Sequence, residues 1–188
     1  MKLSVVIPCY NEKATVNTLL RRVTSAPYPQ GIEKVEILVI DDCSTDGTRQ
    51  ILSDIKKNPQ EIGLLANQEF QLFFQETNGG KGKALRTGFA KATGEIVLVQ
   101  DADLEYDPED YPGLLRPIVK GYADVVFGSR FIGLERRVLY FNHYVVNKFL
   151  TFLSNVFTNL NITDVETCYK VVRSDILKRI TLTSDRFG

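Results

Sequence analysis

The chain has 188 residues, 44% of them hydrophobic, with 23 basic and 23 acidic side chains. That suits one domain with a real core, and a net charge of zero leaves no global field to recruit nucleic acid. Cys9, Cys43 and Cys168 are scattered at no metal-ligand spacing, which suits a reducing compartment, and no run reaches the roughly 18 uncharged apolar residues of a bilayer-spanning helix.

Residues 3–7 form a first strand, too short to be the apolar region of a signal peptide, so a soluble domain is expected. Residues 13–24 carry Val16, Leu19, Leu20 and Val23 at helical period. A second strand over 35–40 runs into the loop Asp41-Asp42-Cys43-Ser44-Thr45-Asp46-Gly47. Ser44 or Thr45 is the candidate cap of a helix reaching Lys57. A third strand is expected over 71–75, a glycine-rich turn over 78–82 and a helix over 83–92. The fourth strand, 95–100, runs out onto Asp101-Ala102-Asp103. A helix over 108–119 has Pro108 in its first turn, and a fifth strand covers 124–128.

Alternating strands and helices predict an α/β fold with a mostly parallel sheet and helices on both faces. Ligands of such sheets bind beyond the carboxyl ends of the strands. Pro8 to Glu12, Asp41 to Asp46, Asn78 to Gly82, Asp101 to Glu105, and Ser129-Arg130 all fall at that edge. Two carboxylates two residues apart in extended chain share a face, roughly 6.6 Å apart. Such hard oxygens suit Mg²⁺ or Mn²⁺ carried in with a diphosphate. The competing reading is an acidic loop that caps the next helix. Lys81 lacks the following Gly-Lys-Ser/Thr spacing of a P-loop.

Beyond Arg130 the texture changes. Residues 138–160 are rich in Leu, Phe, Val and Tyr but broken by Asn142, His143, Asn147, Lys148, Ser154, Asn155 and Asn159. The segment fits either a buried helix pair or an amphipathic helix on a membrane surface beside Arg136 and Arg137. Asp164 and Glu166 precede a short final strand over 169–172, with no terminal helix expected after it. His143 is read as structural.

These motifs, in this order, resemble the inverting nucleotide-sugar glycosyltransferases of family two. The carriers are Val5-Val6-Ile7-Pro8-Cys9-Tyr10-Asn11-Glu12, Asp41 to Thr48 and Asp101-Ala102-Asp103. A finer resemblance, to the dolichyl-phosphate or polyprenyl-phosphate sugar synthases, rests on Asn78-Gly79-Gly80-Lys81-Gly82, Asp101 to Pro108, Gly128-Ser129-Arg130-Phe131 and Asp164 to Lys170. The resemblance implies a GT-A (Rossmann-like) core over 1–133 that binds the nucleotide-sugar. It also implies a membrane-proximal acceptor side over 134–188, an amphipathic helical segment that family members usually continue further.

By the same resemblance, Pro8, Tyr10, Asn11, Glu12, Asp41, Asp42, Lys81, Asp101 and Ala102 line the donor site, for a UDP- or GDP-sugar. Asp101, Asp103 and Glu105 are the implied Mg²⁺ or Mn²⁺ ligands. Arg130, Arg136 and Arg137 meet the phosphate of a polyprenyl acceptor at the cytoplasmic face of a membrane. Asp103, Asp164 and Glu166 are the candidate catalytic carboxylates. A saccharide or protein hydroxyl acceptor, and a nucleotide-binding module without turnover, are the alternatives. A nucleotidyltransferase is disfavoured, because Pro8-Cys9-Tyr10-Asn11-Glu12 stands where that class carries a glycine-rich basic loop.

Overall fold

The computed structural model describes residues 1–131 and 140–186. Arg136 and Arg137 lie outside the described residues. Six strands form one sheet: β1 (Lys2–Cys9), β2 (Lys34–Asp41), β3 (Gln68–Phe74), β4 (Ile96–Val99), β5 (Val125–Phe127) and β6 (Lys170–Arg173). Their spatial order is β3-β2-β1-β4-β6-β5. β1 pairs in parallel with β2 and β4, and β2 with β3. β6 alone is antiparallel, to both β4 and β5. The mostly parallel α/β sheet expected from the alternation is present.

The reversal of β6 matters for function. The carboxyl ends of β1 to β5 share one edge, and the amino end of β6 reaches that same edge. Asp164 to Cys168, which lead into β6, therefore join the loops that follow the parallel strands.

The helices are α1 (Val16–Ser25), α2 (Thr48–Lys57), α3 (Lys81–Lys91), α4 (Tyr111–Val119), α5 (Phe141–Thr158) and α6 (Ser174–Leu177). Alternate strand residues point to opposite faces. Leu3, Val5, Ile7, Ile37, Val39 and Leu98 bury α1, α2 and α4 against one face. Val6, Leu38, Ile40 and Val97 meet Ala84 of α3 on the other. α3 lies close to the strands because Gly88 has no Cβ; one added there would come within 2.9 Å of Ile40 Cδ1 and crowd Val6.

Several boundaries differ from expectation. β3 starts three residues earlier than predicted, with buried Gln68, exposed Glu69 and half-buried Phe70 pairing to β2 at the sheet edge. The helix over 108–119 splits into a 3₁₀ turn, Pro108–Asp110, and α4. α2 starts behind Gly47 (φ 105°), and neither Ser44 nor Thr45 caps it. Asp46 serves instead, accepting N–H and Oγ1–H from Thr48 at 3.0 and 2.6 Å. A short α6 follows β6 where no helix was expected.

The buried helix pair is not formed. Among the described residues, 141–158 make one helix, and its buried side chains are Asn147 and Thr151. Its apolar residues face outward, with Phe149 59% and Phe157 84% exposed. No helix among the described residues is long and apolar enough to cross a membrane.

Two buried polar groups clamp the sheet. At the end away from the candidate site, fully buried Glu36 accepts hydrogen bonds from Ser4 Oγ (2.5 Å) and from Thr93 N and Oγ1 (2.6 Å each). Lys2 Nζ sits 2.5 Å from it. Burial alone would disfavour the charge, but these donors outweigh it and lower the pKa from 4.5 to about 2. At the site end, buried Gln100 closes β4. Its Oε1 accepts from Tyr111 (2.9 Å) and Tyr169 (3.0 Å), and its Nε2 donates to the carbonyls of Asp101 and Tyr106.

A group whose folded pKa is depressed stabilises above its unfolded pKa and loses that contribution as pH falls through its folded value. Glu36 therefore contributes on the order of 3 kcal/mol at neutral pH, fading between pH 4.5 and about 2. Urea unfolding at pH 7 and pH 3 should show Glu36→Gln costing more at pH 7 than at pH 3. For Gln100→Leu, two tyrosine hydroxyls and two carbonyls lose a partner, so urea unfolding at pH 7 should show a loss of about 2–4 kcal/mol.

Candidate functional site

The loops at the carboxyl edge are held by each other before any ligand arrives. After β1, Asn11 adopts a left-handed conformation (φ 56°). Its N–H donates to Ser44 Oγ at 2.9 Å, and its Oδ1 accepts from Thr45 N at 2.8 Å. Glu12 N–H donates to Thr48 Oγ1, and its carboxylate takes the hydroxyl of Thr15 at the start of α1. The β1 and β2 loops thus form one unit. Tyr10 stands half-exposed beside it, offering a ring face, and Pro8 is buried in β1.

Asp41 and Asp42 have separate tasks. Asp41 is buried, and its Oδ2 takes Arg49 Nε at 2.8 Å. Its Oδ1 is buried with no hydrogen-bond partner among the described residues. A buried acceptor without a donor is unfavourable, and an N–H or hydroxyl of an entering molecule could supply one. Asp42 turns to the glycine turn, accepting from Gly79 N (2.9 Å) and Gly80 N (2.7 Å). Gly80 has φ 82° and stands at the N-cap of α3, so Asp42 places the first residue of that helix, Lys81.

Lys81 crosses to the end of β4. Its Nζ lies 2.7 Å from Asp101 Oδ2 in a hydrogen bond and 2.5 Å from Oδ1 as an ion-pair contact. Oδ1 makes no directed hydrogen bond and meets the ammonium as an ion-pair contact. Cys168 Sγ is 3.7 Å from the same Nζ. Burial works against the Lys81 charge, but Asp101 outweighs it and raises the pKa. Asp101 is 8% exposed and Ala102 is buried beneath the loop.

Beyond Asp101 the chain bends through residues 102–106, with Leu104 left-handed at φ 62°. The extended geometry expected for Asp101 and Asp103 is not adopted, because Gln100 draws the carbonyls of Asp101 and Tyr106 to one amide. Asp103 Oδ1 instead accepts from Glu105 N at 2.9 Å. Burial, with the charges of Asp101 and Glu105, raises the Asp103 pKa. Among the described residues no three His, Cys, Asp or Glu side chains converge on one point. Glu105 is exposed beside the two aspartates.

A second cluster gathers where β5, α5 and the approach to β6 meet. Arg130 holds Asp164 through Nε–Oδ2 (2.7 Å) and Nη2–Oδ1 (2.8 Å), and Glu166 lies 3.8 Å off. The paired hydrogen bonds to Asp164 raise the Arg130 pKa. Burial opposes the Asp164 charge, but Arg130 and Asn147 prevail and lower its pKa. Asn147 of α5 donates to Asp164 and Glu166, at 3.0 Å each. Val165 N donates to Thr151 Oγ1, and Asn155 exchanges two hydrogen bonds with Ile162.

Sequence reasoning treated Asn147 and Asn155 as interruptions of an apolar segment. Their four-residue spacing with Thr151 was the available signal, a polar stripe on one helix face. Gln100 gave only a polar residue at a strand end. The Lys81–Asp101 pairing had no signal, since it depends on the 20-residue crossing between α3 and β4.

The glycosyl transferase family 2 description matches residues 4–181. Two undecaprenyl-phosphate 4-deoxy-4-formamido-L-arabinose transferases are each 37% identical, one from Aeromonas hydrophila over 126 residues and one from Enterobacter sp. over 127. Each match covers 66% of this chain, which spans only 35% and 36% of those relatives' lengths. Among solved structures, S. aureus TarS 1-349 in complex with UDP is 26% identical at a TM-score of 0.64, over 95% of this chain and 48% of that one. Glucosyl-3-phosphoglycerate synthase from Mycobacterium tuberculosis shares the fold at 21% identity and a TM-score of 0.64, over 94% of this chain and 58% of that one. With that match running from β1 through β6, the chain belongs to glycosyl transferase family 2.

Proposed function

We propose that the protein transfers a sugar, with inversion, from a UDP- or GDP-linked donor to a polyprenyl phosphate. The observation that carries this reading is the meeting, at one sheet edge, of a carboxylate-lined loop set with the Arg130–Asp164–Asn147 cluster on α5. The undecaprenyl-phosphate transferases named above support the acceptor class.

On this reading the β1 and β2 loops hold the nucleoside, with Tyr10 offering its ring and Asp41 Oδ1 accepting from the base or ribose. Asp101 and Asp103 fit a divalent ion, Mg²⁺ or Mn²⁺. Burial and, after it, the charges of Asp101 and Glu105 disfavour the Asp103 carboxylate, a cation there would offset the charge repulsion, and two carboxylates leave positions for diphosphate oxygens. When bound, such an ion neutralises the diphosphate as it leaves. Glu105 adds negative charge to the same loop.

An oxygen of the acceptor phosphate attacks the anomeric carbon, and the sugar–diphosphate bond breaks with its electrons on the leaving nucleoside diphosphate. No proton has to be removed. A hydroxyl acceptor would need a base, and the Asp164 carboxylate is already engaged by Arg130 and Asn147, which supports the phosphate acceptor. Arg130, followed in sequence by Arg136 and Arg137, meets the acceptor phosphate through its remaining N–H groups. Asp164 and Glu166 orient that guanidinium.

The outward apolar face of α5 lies on a membrane surface, next to the lipid's own source, at its cytoplasmic side. α5 carries no acidic residue that an anionic surface would repel.

Sugar transfer to polyprenyl phosphate should fall by about a hundredfold or more in the doubly substituted Asp101→Asn, Asp103→Asn protein, the loss of several kcal/mol of charge neutralisation. It is measured with Mn²⁺ and a panel of UDP- and GDP-sugars. Transfer that persists in the double variant removes the reading. Arg130→Lys should raise KM for the acceptor and leave KM for the donor unchanged. In sedimentation with anionic vesicles the protein should pellet, and Phe149→Glu with Phe152→Glu should release it; a protein that stays in the supernatant as a dimer would assign the face to a second copy instead.

A further inference from the structure

The Asp101 carboxylate is already occupied by a cation of the protein's own. Lys81 Nζ lies 2.5 Å from Oδ1 and 2.7 Å from Oδ2. We propose that Lys81 is a resident counter-cation that keeps a divalent ion off Asp101 until a nucleoside diphosphate arrives, and then moves onto the diphosphate. The proposal rests on the function proposed above.

Lys81 is the first residue of α3, and Asp42 pins the turn before it through Gly79 N and Gly80 N. The helix start is therefore fixed, and any movement of the ammonium falls to the long side chain. Asp101 is almost closed to solvent, so water screens the pair poorly. A divalent ion bound to Asp101 in the free protein would sit within a few ångströms of the ammonium and be repelled by it.

A diphosphate alters both sides of that competition. It brings negative oxygens that accept the ammonium, and it supplies the remaining ligands that two carboxylates cannot. Lys81 thus acts as a positioning residue. Metal and nucleotide bind with positive coupling because the nucleotide draws off the cation that stands in the metal's place. Cys168, 3.7 Å from Nζ, offers no competing charge of comparable strength while it remains a thiol.

The test is a Mn²⁺ titration followed by the electron paramagnetic resonance of free Mn²⁺, without nucleotide, with UDP and with GDP. Wild type should bind Mn²⁺ weakly alone and tightly with one of the two nucleotides. Lys81→Met should bind Mn²⁺ alone roughly tenfold more tightly than wild type, with the nucleotide's enhancement reduced by a similar factor. Lys81→Gln should behave like Lys81→Met and provides the measurement if the methionine variant melts early. Lys81→Arg, which keeps the cation, should stay close to wild type, and Asp101→Asn should lose the tight site. Nucleotide-dependent Mn²⁺ binding in wild type, together with Lys81→Met and Lys81→Gln no tighter than wild type alone, overturns this proposal and leaves the proposed function standing. No Mn²⁺ binding with either nucleotide overturns both.

Discussion

The candidate site depends on where β4 stops, and one buried amide decides that. Gln100 sits between the last paired residue of the strand and Asp101. Its two acceptor positions are filled by Tyr111 and Tyr169, and its two donors by the carbonyls of Asp101 and Tyr106. An amide has this many positions and no more, and here each has a protein partner. The chain therefore cannot continue straight. It folds the Asp101 to Tyr106 loop back over the amide, which places Asp101 toward α3 and leaves Asp103 and Glu105 outside. The same tyrosines tie α4 and β6 to the spot, so the antiparallel strand that delivers Asp164 and Glu166 is registered against the strand that delivers Asp101.

On that frame, the acids at the edge are neutralised one by one. Asp41 has Arg49, Asp42 has two backbone N–H groups, Asp101 has Lys81, and Asp164 has Arg130. Unpaired, a pair of such charges at 4 Å would cost about 4 kcal/mol near a protein surface. The pairing makes the free protein stable with so many carboxylates gathered together. Under the function proposed above, a ligand would enter by exchange, offering a phosphate to a lysine or arginine, or a cation to a carboxylate. Asp41 Oδ1 and Asp103 are the exceptions, one without a donor among the described residues and the other crowded by like charge. Both are places where an incoming group relieves a cost already present.

The parallel core was legible because it rests on short-range signals. Apolar runs of strand length alternating with helical periods specify β1, β2, β4, α1 and α3 almost to their ends, and the edge rule then collects the polar loops. What escaped detection depends on contacts distant in sequence. Glu36 carried no signal of its own within the second strand, yet it is a buried anion held by Lys2, Ser4 and Thr93, up to 57 residues away. The left-handed residues Cys43 and Leu104 carry no side-chain signal for positive φ, unlike glycine or Asn11. The expected spacing of Asp101 and Asp103 failed for the same reason: an extended dipeptide is a local assumption, and Gln100 overrides it from the tertiary structure.

α5 shows how composition leaves burial open. Eighteen residues rich in Phe, Val and Leu fit either a buried helix pair or an amphipathic surface helix, and the structure turns polar residues inward and apolar residues outward. The reason lies in the partner. The stretch 162–166 offers backbone groups and two carboxylates, and Asn147, Thr151 and Asn155 at four-residue steps satisfy them. Hydrogen bonds to a carboxylate are directional and among the stronger ones, so they set the rotation of the helix about its axis. Once that rotation is set, Phe149, Phe152 and Val156 have nowhere to go but outward. An exposed apolar surface of this kind marks an interaction site in a folded protein. The side chains that hold Asp164 and Glu166 are thus the ones that turn the apolar face of the helix outward.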